Sequence, residues 1–341
     1  MITLLVTGGC GFIGSHTCLR LLEKNFNVII VDSNINSKKI SLRKIIEIGN
    51  LQNKKFDKQL SFIKGDIRDD SLLESIFSNA LKNKKEISGV IHFAGLKSVE
   101  ESVKNPLLYW DNNLCGSINL FKVMQKYECQ NIVFSSSATL YGNSSKKLIS
   151  ENDLLQPYNT YGHTKLAIEK ILSELFISSG NKWKIANLRY FNPIGAHPSG
   201  LIGENPTDVP NNLFPYICRV ASGSLKKLSI YGNDWETHDG TCIRDFIHVM
   251  DLADAHIAAI EYLFENLPNT ISLNIGTGVG TSVLELVKTF IKVNKSDIPY
   301  AFSKRREGDV VRVVADNKLA VEKLNWHPKR DLKDMCIDGW R

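Results

Sequence analysis

Short apolar runs alternate with amphipathic stretches along the first half of the chain. The runs are Thr3–Val6, Val28–Val31, Phe62–Ile63, Val90–Phe93, Ile132–Phe134 and Ile185–Leu188. Each is continuous rather than alternating, which is the pattern of a strand buried on both faces. Between them, Ile13–Lys24, Ser71–Lys82 and Leu114–Lys126 place apolar residues at helical spacing. Strand and helix in this alternation predict an α/β fold of Rossmann type, a doubly wound parallel sheet with helices on both faces.

The texture changes after about Tyr190. Asn192-Pro193, His197-Pro198, Asn205-Pro206 and Val209-Pro210 follow closely, with helices near Leu213–Ser222 and Ser282–Lys292 and a strand near Ile271–Ile275. Loops of this density predict a smaller C-terminal α+β domain capping a ligand. The expected division is 1–190 for the sheet domain and 191–341 for the cap, with part of 241–276 a candidate to return to the first domain.

Composition narrows the function classes. With 341 residues and 43% hydrophobic positions, the chain can bury a sizeable core. The net charge of +6 is small for that length. Its lysines stand beside acids, as in Glu100–Lys104 and Lys318–Lys323, and Lys54–Lys58 reads as a solvated loop. No basic stripe is present, so a nucleic-acid partner is not expected. No apolar run approaches about 18 residues and no charged segment precedes the Ile2–Val6 run. Neither a membrane span nor a signal peptide is therefore expected. The cysteines number seven, without a C-x-x-C pair, the usage of a reduced, cytoplasmic protein. The histidines show no metal-ligand spacing, and no phosphate loop of the G-x-x-x-x-G-K type occurs.

Candidate chemistry begins at the first strand. Gly8, Gly11 and Gly14 are spaced by three and sit between that strand and a helix. Gly8 can turn tightly, Gly11 lets a pyrophosphate approach the backbone, and Gly14 lets helix and strand pack closely. The helix N-terminus then offers free N–H groups to an anion. The next strand ends in Asp32, where a carboxylate would accept from adenosine ribose hydroxyls and repel a 2′-phosphate. Together these predict NAD rather than NADP, with Lys38 and Lys39 as the only nearby counter-argument.

A second constellation follows. Tyr161 and Lys165 are four apart at the start of a predicted helix, one turn from each other on one face. A tyrosine of pKa about 10 must fall by about 3 to serve as a base near neutrality, roughly 4 kcal/mol. A neighbouring ammonium and the cationic nicotinamide can supply that. Ser135, Ser136 and Ser137 end the Ile132–Phe134 run, at the edge of the sheet where ligands bind. A hydroxyl there can relay or steady a proton moving to Tyr161.

On these residues the chain is similar to the nucleotide-sugar 4-epimerases of the extended short-chain dehydrogenase/reductase family. Matching blocks run nearly end to end: Val6–Cys18, Gly65–Arg68, Val90–Lys97, Asp111–Gly116, Phe134–Gly142, Tyr161–Leu166, Leu188–Gly200, Pro210–Tyr216, Ile230–Asp234, Arg244–Ala255 and Arg305–Asp309. The resemblance implies interconversion of UDP-glucose and UDP-galactose by transient oxidation at carbon 4. It implies Tyr161 as base, Lys165 as its partner, and Ser137 at the sugar's 4-hydroxyl. The implied NAD contacts add Phe12, Ile13, Asn36, Asp66, Ile67, Phe93, Ala94, Lys97, Asn112 and Phe191. For the nucleotide sugar they are Asn192 and Asn212, Tyr231 beside the uracil, Arg244 and Arg306 on the diphosphate, and Asp309 on the uridine ribose. A diphosphate does call for cationic forks of the arginine kind. The resemblance also implies a homodimer that packs two helices per subunit, near Leu114–Lys126 and Ile168–Ile177.

Two positions depart from the family pattern. Thr160 stands where proline is frequent, which alters only helix entry. Val313 stands where relatives carry either tyrosine or a small residue bounding the space beside the sugar's carbon 2. Its small size implies that N-acetylhexosamine substrates fit as well. Three alternatives compete: a 4,6-dehydratase, which needs a carboxylate where Ala138 and Thr139 stand; a UDP-glucuronate epimerase or decarboxylase, which needs a further cation; and a non-catalytic NAD-sensing protein, which has no use for the Tyr/Lys pair.

Overall fold

Seven strands build the central sheet, and every pairing within it is parallel. They are β1 (Thr3–Thr7), β2 (Asn27–Asp32), β3 (Leu60–Lys64), β4 (Ile87–His92), β5 (Asn131–Ser137), β6 (Lys184–Tyr190) and β7 (Thr270–Ile275). Their spatial order is β7-β6-β5-β4-β1-β2-β3. Strand order reverses between β1 and β4, so a crevice opens at the C-terminal ends of these two, where an open α/β sheet takes its ligand. The computed structural model describes every residue except 145, 207–209, 211 and 307, so the Val209-Pro210 turn lies partly outside the described residues.

Apolar continuity explains the layers. Helices α1 (Phe12–Glu23), α2 (Asp70–Lys82), α3 (Gly116–Lys126), α4 (Thr160–Ser178) and α5 (Val249–Glu265) cover the sheet. On one face α1 and α5 pack through Leu19, Leu22, Leu252 and Ile260 against Leu4, Val6 and Ile30. On the other, α2, α3 and α4 pack through Phe77, Phe121, Ile168 and Leu172 against Leu5, Val90 and Ile132.

The sequence runs mark the buried middle of each strand and stop short of its polar end. The ladder continues past them, with Ser135, Ser136 and Ser137 in register with Leu188, Arg189 and Tyr190. Hydrogen bonding between backbones, not side-chain polarity, sets where a strand stops. The Leu114–Lys126 prediction also shifts: Trp110–Cys115 is a wide π-helical turn and the α-helix starts at Gly116.

A second core gathers Ile194, Phe214, Ile217, Ile230, Phe246, Leu286, Phe290 and Met335. Short ladders frame it. Asn192–Ile194 lies parallel to Phe246–His248, and Leu228–Tyr231 parallel to Tyr300–Ser303. Ile243–Arg244 sits between Thr281–Ser282 and Arg312–Val313. Both α5 and β7, although late in sequence, belong to the layers of the main sheet.

Four histidines lie fully inside: His16, His92, His248 and His256. Burial pulls His92 and His248 down to about 3, and His16 and His256 to about 4, from an ordinary 6.5. All four are neutral in the fold, while the unfolded chain protonates them first as pH falls. The stability they permit is complete above 6.5 and is lost as pH drops toward their folded values. Between pH 7 and 5.5 we expect a loss of roughly 1 kcal/mol per histidine, seen as a falling denaturation midpoint. A midpoint that stays flat over that window contradicts neutral burial.

Candidate active site

The glycine turn is built for close approach. Gly8 has φ +70, and a Cβ on it would stand 2.8 Å from Ala94 N. A Cβ on Gly14 would lie 2.4 Å from Gly8 O, so α1 can rest on β1 only with glycine there. Gly11 caps α1 in an extended conformation with no side-chain hydrogen bond to the first-turn N–H groups. Those donors and the helix dipole face the crevice, an arrangement that fits a dinucleotide's pyrophosphate. Asp32 is buried at the end of β2. Its Oδ2 accepts from Cys10 N at 2.9 Å, and its Oδ1 accepts from Asn34 N at 2.9 Å and Ser37 Oγ at 2.7 Å. The carboxylate is thus aimed from the strand end into the turn, and Asn36 stands exposed beside it.

Just past the end of β3 stands a charged clamp. Arg68 donates from Nε to Asp66 Oδ1 at 3.0 Å and from Nη2 to Asp66 Oδ2 at 2.7 Å. Its Nη1 reaches Asp111 Oδ2 at 2.6 Å. Hydrogen bonding from Arg68 holds the Asp66 carboxyl below its usual range. Ile67 is buried next to it. The π-helical turn brings Asn112 and Asn113 to this clamp, in keeping with the frequent use of such turns at functional sites. Asn112, the residue expected from sequence, makes no side-chain hydrogen bond among the described residues. Its neighbour Asn113 is buried and does structural work: it accepts from Leu96 N at 2.8 Å and donates to Leu96 O at 3.0 Å and Thr164 Oγ1 at 3.2 Å. It therefore locks the segment carrying Ala94 and Lys97 against α4. Phe93 lies against His256, ring centroids 4.8 Å apart.

The helix α4 starts at an Asn159 cap that accepts from Gly162 N at 2.8 Å. That cap directs Tyr161 and Lys165 toward the end of β5. Lys165 Nζ donates to Ser135 O at 2.7 Å and lies 4.8 Å from the Phe134 ring centre and 5.8 Å from that of Tyr161. Burial pulls its ammonium down to about 7, with Glu169 acting in the opposite direction. Burial pushes the Tyr161 phenol up, and hydrogen bonding with Ser137 opposes the rise. The Ser137 hydroxyl also accepts from Thr139 N at 3.2 Å and Thr139 Oγ1 at 3.0 Å. Tyr161, Lys165 and Ser137 are therefore brought together at the C-terminal edge of the sheet.

The cap supplies a second set. Asn192 sits at the start of its short strand, and Asn212 caps the Leu213–Ala221 helix. Asn212 Nδ2 donates to Glu204 Oε1 at 3.3 Å, and Lys97 Nζ donates to the same oxygen at 3.1 Å. Glu204, which the sequence did not single out, thus joins residues expected on the cofactor and on the sugar. Arg244 Nη1 donates to Ile243 O at 2.9 Å and Val310 O at 2.8 Å, and its Nη2 lies 3.6 Å from Asp309 Oδ1. The Arg306 guanidinium stands 5.9 Å from the ring centre of Tyr231, which is 45% exposed. Val313 pairs in register with Arg244 and packs with Ala138, Tyr141 and Phe191. Apart from Ser137 and Tyr161 on the main sheet's edge, the expected substrate residues lie on the cap segments, and Val313 packs on Ala138, next to Ser137. Among the described residues no cluster of three or more His, Cys, Asp or Glu side chains could hold a metal ion.

Comparisons with known proteins match the chain over nearly its whole length. The family model described as GDP-mannose 4,6 dehydratase matches residues 5–338. A UDP-glucose 4-epimerase of Bacillus subtilis is 47% identical over 340 residues, covering 100% of this chain and 96% of that protein. The UDP-glucose 4-epimerase of Stenotrophomonas maltophila, solved with NAD and formylated UDP-arabinopyranose, superposes with TM-score 0.93 at 43% identity, covering 100% of this chain and 97% of the other. That of Bifidobacterium longum, solved with NAD+ and UDP, gives 0.91 at 42% identity, covering 99% and 97%.

The glycine turn yields a direct test. Gly8→Val places a Cβ against the Ala94 backbone at a positive φ. We expect protein purified from this variant to carry at least tenfold less bound NAD than the parent. Undiminished NAD content in a folded variant would place the cofactor elsewhere.

Proposed function

The chain belongs to the UDP-glucose 4-epimerases of the extended short-chain dehydrogenase/reductase family, and from that premise we propose how its residues divide the work. It is an NAD-dependent isomerase that interconverts UDP-glucose and UDP-galactose by transient oxidation at carbon 4. The observation that carries the residue assignment is the convergence of Tyr161, Lys165 and Ser137 on the C-terminal edge of the sheet, the edge that also carries the glycine turn.

Gly8, Gly11, Phe12, Ile13 and Gly14 hold the pyrophosphate, and Asp32 with Asn36 the adenosine ribose. Asp66, Ile67, Phe93, Ala94, Lys97, Asn112 and Phe191 line the remainder of the cofactor site. NAD, when bound, accepts hydride from carbon 4 and returns it. Tyr161, as phenolate, takes the proton of the 4-hydroxyl at its Oη and gives it back after the sugar has turned. Lys165, anchored on Ser135 O, stabilises that phenolate through space. Ser137 holds the 4-oxygen and steadies the proton in transit. Arg244 and Arg306 neutralise the diphosphate, Asp309 accepts from the uridine ribose, and Tyr231 flanks the uracil. Asn192 and Asn212 contact the sugar side, where the grip must be loose enough for rotation. A dehydratase reading lacks its acid: Ala138 and Thr139 follow Ser137, and the Thr139 hydroxyl is engaged by Ser137.

We assign residues 1–190 with α5 and β7 to the NAD-binding domain and the rest of 191–341 to the nucleotide-sugar domain. The second core supports that division. The cytoplasm is the proposed location, supported by seven free cysteines and no helix, among those described, long and apolar enough to cross a membrane. A homodimer is the proposed assembly. Its support is the run of exposed Val99, Val103 and Leu107, spaced by four, with exposed Ile177 at the far end of α4. The proposed interface keeps α3 and α4, whose Leu120, Phe121, Met124, Ile168 and Leu172 face the core, and adds that exposed run. Light scattering should give twice the chain mass, and Leu107→Glu should lower it. A monomeric parent would remove the dimer.

One incubation tests the chemistry. The protein is given UDP-glucose, UDP-galactose and their N-acetyl forms without added NAD, and products are separated. The parent should convert the first pair and, with small Val313 beside carbon 2, the N-acetyl pair. Tyr161→Phe should lose on the order of 10² or more of the turnover. Near-normal turnover by that variant would sink the base assignment, and inert N-acetyl sugars would sink the Val313 reading.

A further inference from the structure

The face of α4 that carries Tyr161 and Lys165 continues one turn further, to Glu169. Each of the three rungs is tied to a different one of three consecutive residues of β5. Lys165 Nζ donates to Ser135 O at 2.7 Å, Ser136 Oγ donates to Glu169 Oε1 at 2.5 Å, and the Ser137 hydroxyl stands at Tyr161. Glu169 is almost fully buried, and so is its counter-ion on β6, Arg189. The pair is bidentate: Nε donates to Oε1 at 3.0 Å and Nη2 to Oε2 at 2.7 Å. Arg189 is held in turn by Tyr141, whose hydroxyl accepts from Nη1 at 2.9 Å and donates to Asn274 Oδ1 at 2.6 Å. Its Nη1 also donates to Glu151 O at 3.2 Å.

Fold stability alone is a weak reason for this arrangement, because well-packed apolar groups usually serve a core as well as a buried ion pair does. Its placement suggests another. Resting on the assignment of Tyr161 and Lys165 above, we propose that Glu169, fixed by Arg189 and Ser136, is a positioning residue that keeps the buried Lys165 side chain in its ammonium form and aimed at the Tyr161 phenolate.

Among the described residues, Glu169 is the one anion acting on Lys165. From its own helix it meets Tyr161 and Glu169. From β4 it meets His92, which is neutral and bonded to Thr7 and Ser117. From β5 come Ser135 O and the Phe134 ring, while on β6 Arg189 is taken up by Glu169 and Tyr141 and Tyr190 by His256. On the segment between β4 and α3, Glu101 is engaged by the Tyr109 hydroxyl at 2.8 Å. Burial disfavours the ammonium, and Glu169 is the group that opposes it. Without that carboxylate, Lys165 loses its proton at lower pH and Tyr161 needs higher pH to become phenolate, so the active window narrows from both sides.

The test is the pH profile of UDP-galactose turnover by Glu169→Gln. We expect the basic limb to move down by about one pH unit and the KM for the UDP-sugar to stay within twofold. Glu169→Asp, which keeps the charge, should keep the parent's limb. If Glu169→Gln does not fold, the double variant Glu169→Gln/Arg189→Met leaves no unpaired charge, and its basic limb should move in the same direction by less than one unit, since the cation leaves with the anion. A folded variant with the parent's profile overturns the inference, however much its thermal stability falls. Tyr161→Phe run alongside separates the two claims. If Tyr161→Phe is active, the base assignment fails. If Tyr161→Phe is dead and Glu169→Gln has an unmoved profile, only the role of Glu169 fails.

Discussion

The site depends on how closely α1 lies on β1. At Gly14 the helix is so near the turn that a single added carbon would enter the Gly8 carbonyl. This contact brings the first-turn N–H groups over the C-terminal end of the sheet, and Asp32 then fixes the turn from the neighbouring strand through Cys10 N. On the same face α1 and α5 share one apolar layer against β1 and β2. Loosening the helix by one methyl would move the first-turn N–H groups and the Asp32 carboxylate together.

The opposite side of the crevice is held by polar groups. β5 and β6 are apolar through Phe134 and Leu188 and then turn polar while the ladder continues. Water is largely excluded there, so each polar group must find a protein partner. Serines, Glu169, Arg189, Tyr141 and Asn274 satisfy one another across three strands and one helix. In the cap, Asp245 has a similar task. It is buried and accepts from Thr277 N, Thr277 Oγ1, Gly278 N and Ala315 N at 2.6 to 3.1 Å. Burial raises its carboxyl while these donors oppose the rise. It thereby braces the strand that carries Arg244 at the seam between the two cores.

What was legible in the sequence follows from range. The glycine turn, the strand that feeds it and the Tyr161–Lys165 step are local patterns, and the parallel sheet follows from the alternation of strand and helix. Continuous apolar runs gave the strand centres without their ends, since a ladder of backbone bonds leaves no compositional trace at Ser137 or Tyr190. The unread residues act through distant partners. Asn113 lies one position from the expected Asn112, and only the π-helical turn decides which of the two faces inward. Arg68, Glu204 and Asp245 pair with groups 43, 107 and 70 positions away. Glu169 carried a local signal after all: it repeats the interval from Tyr161 to Lys165 once more.

The pairing of Val313 with Arg244 has a consequence for selectivity. The two are register partners on neighbouring short strands, so their backbones are held about 5 Å apart. Under the assigned roles, one end of that span grips the diphosphate and the other bounds the sugar. The ladder then works as a ruler with both ends fixed. Candidate ligands are sorted by how far their bulk extends from the charged end, and a sugar can turn freely about its tether while one that is too long never reaches Ser137. Changing the residue at position 313 shifts the mark on the ruler without altering the ruler itself.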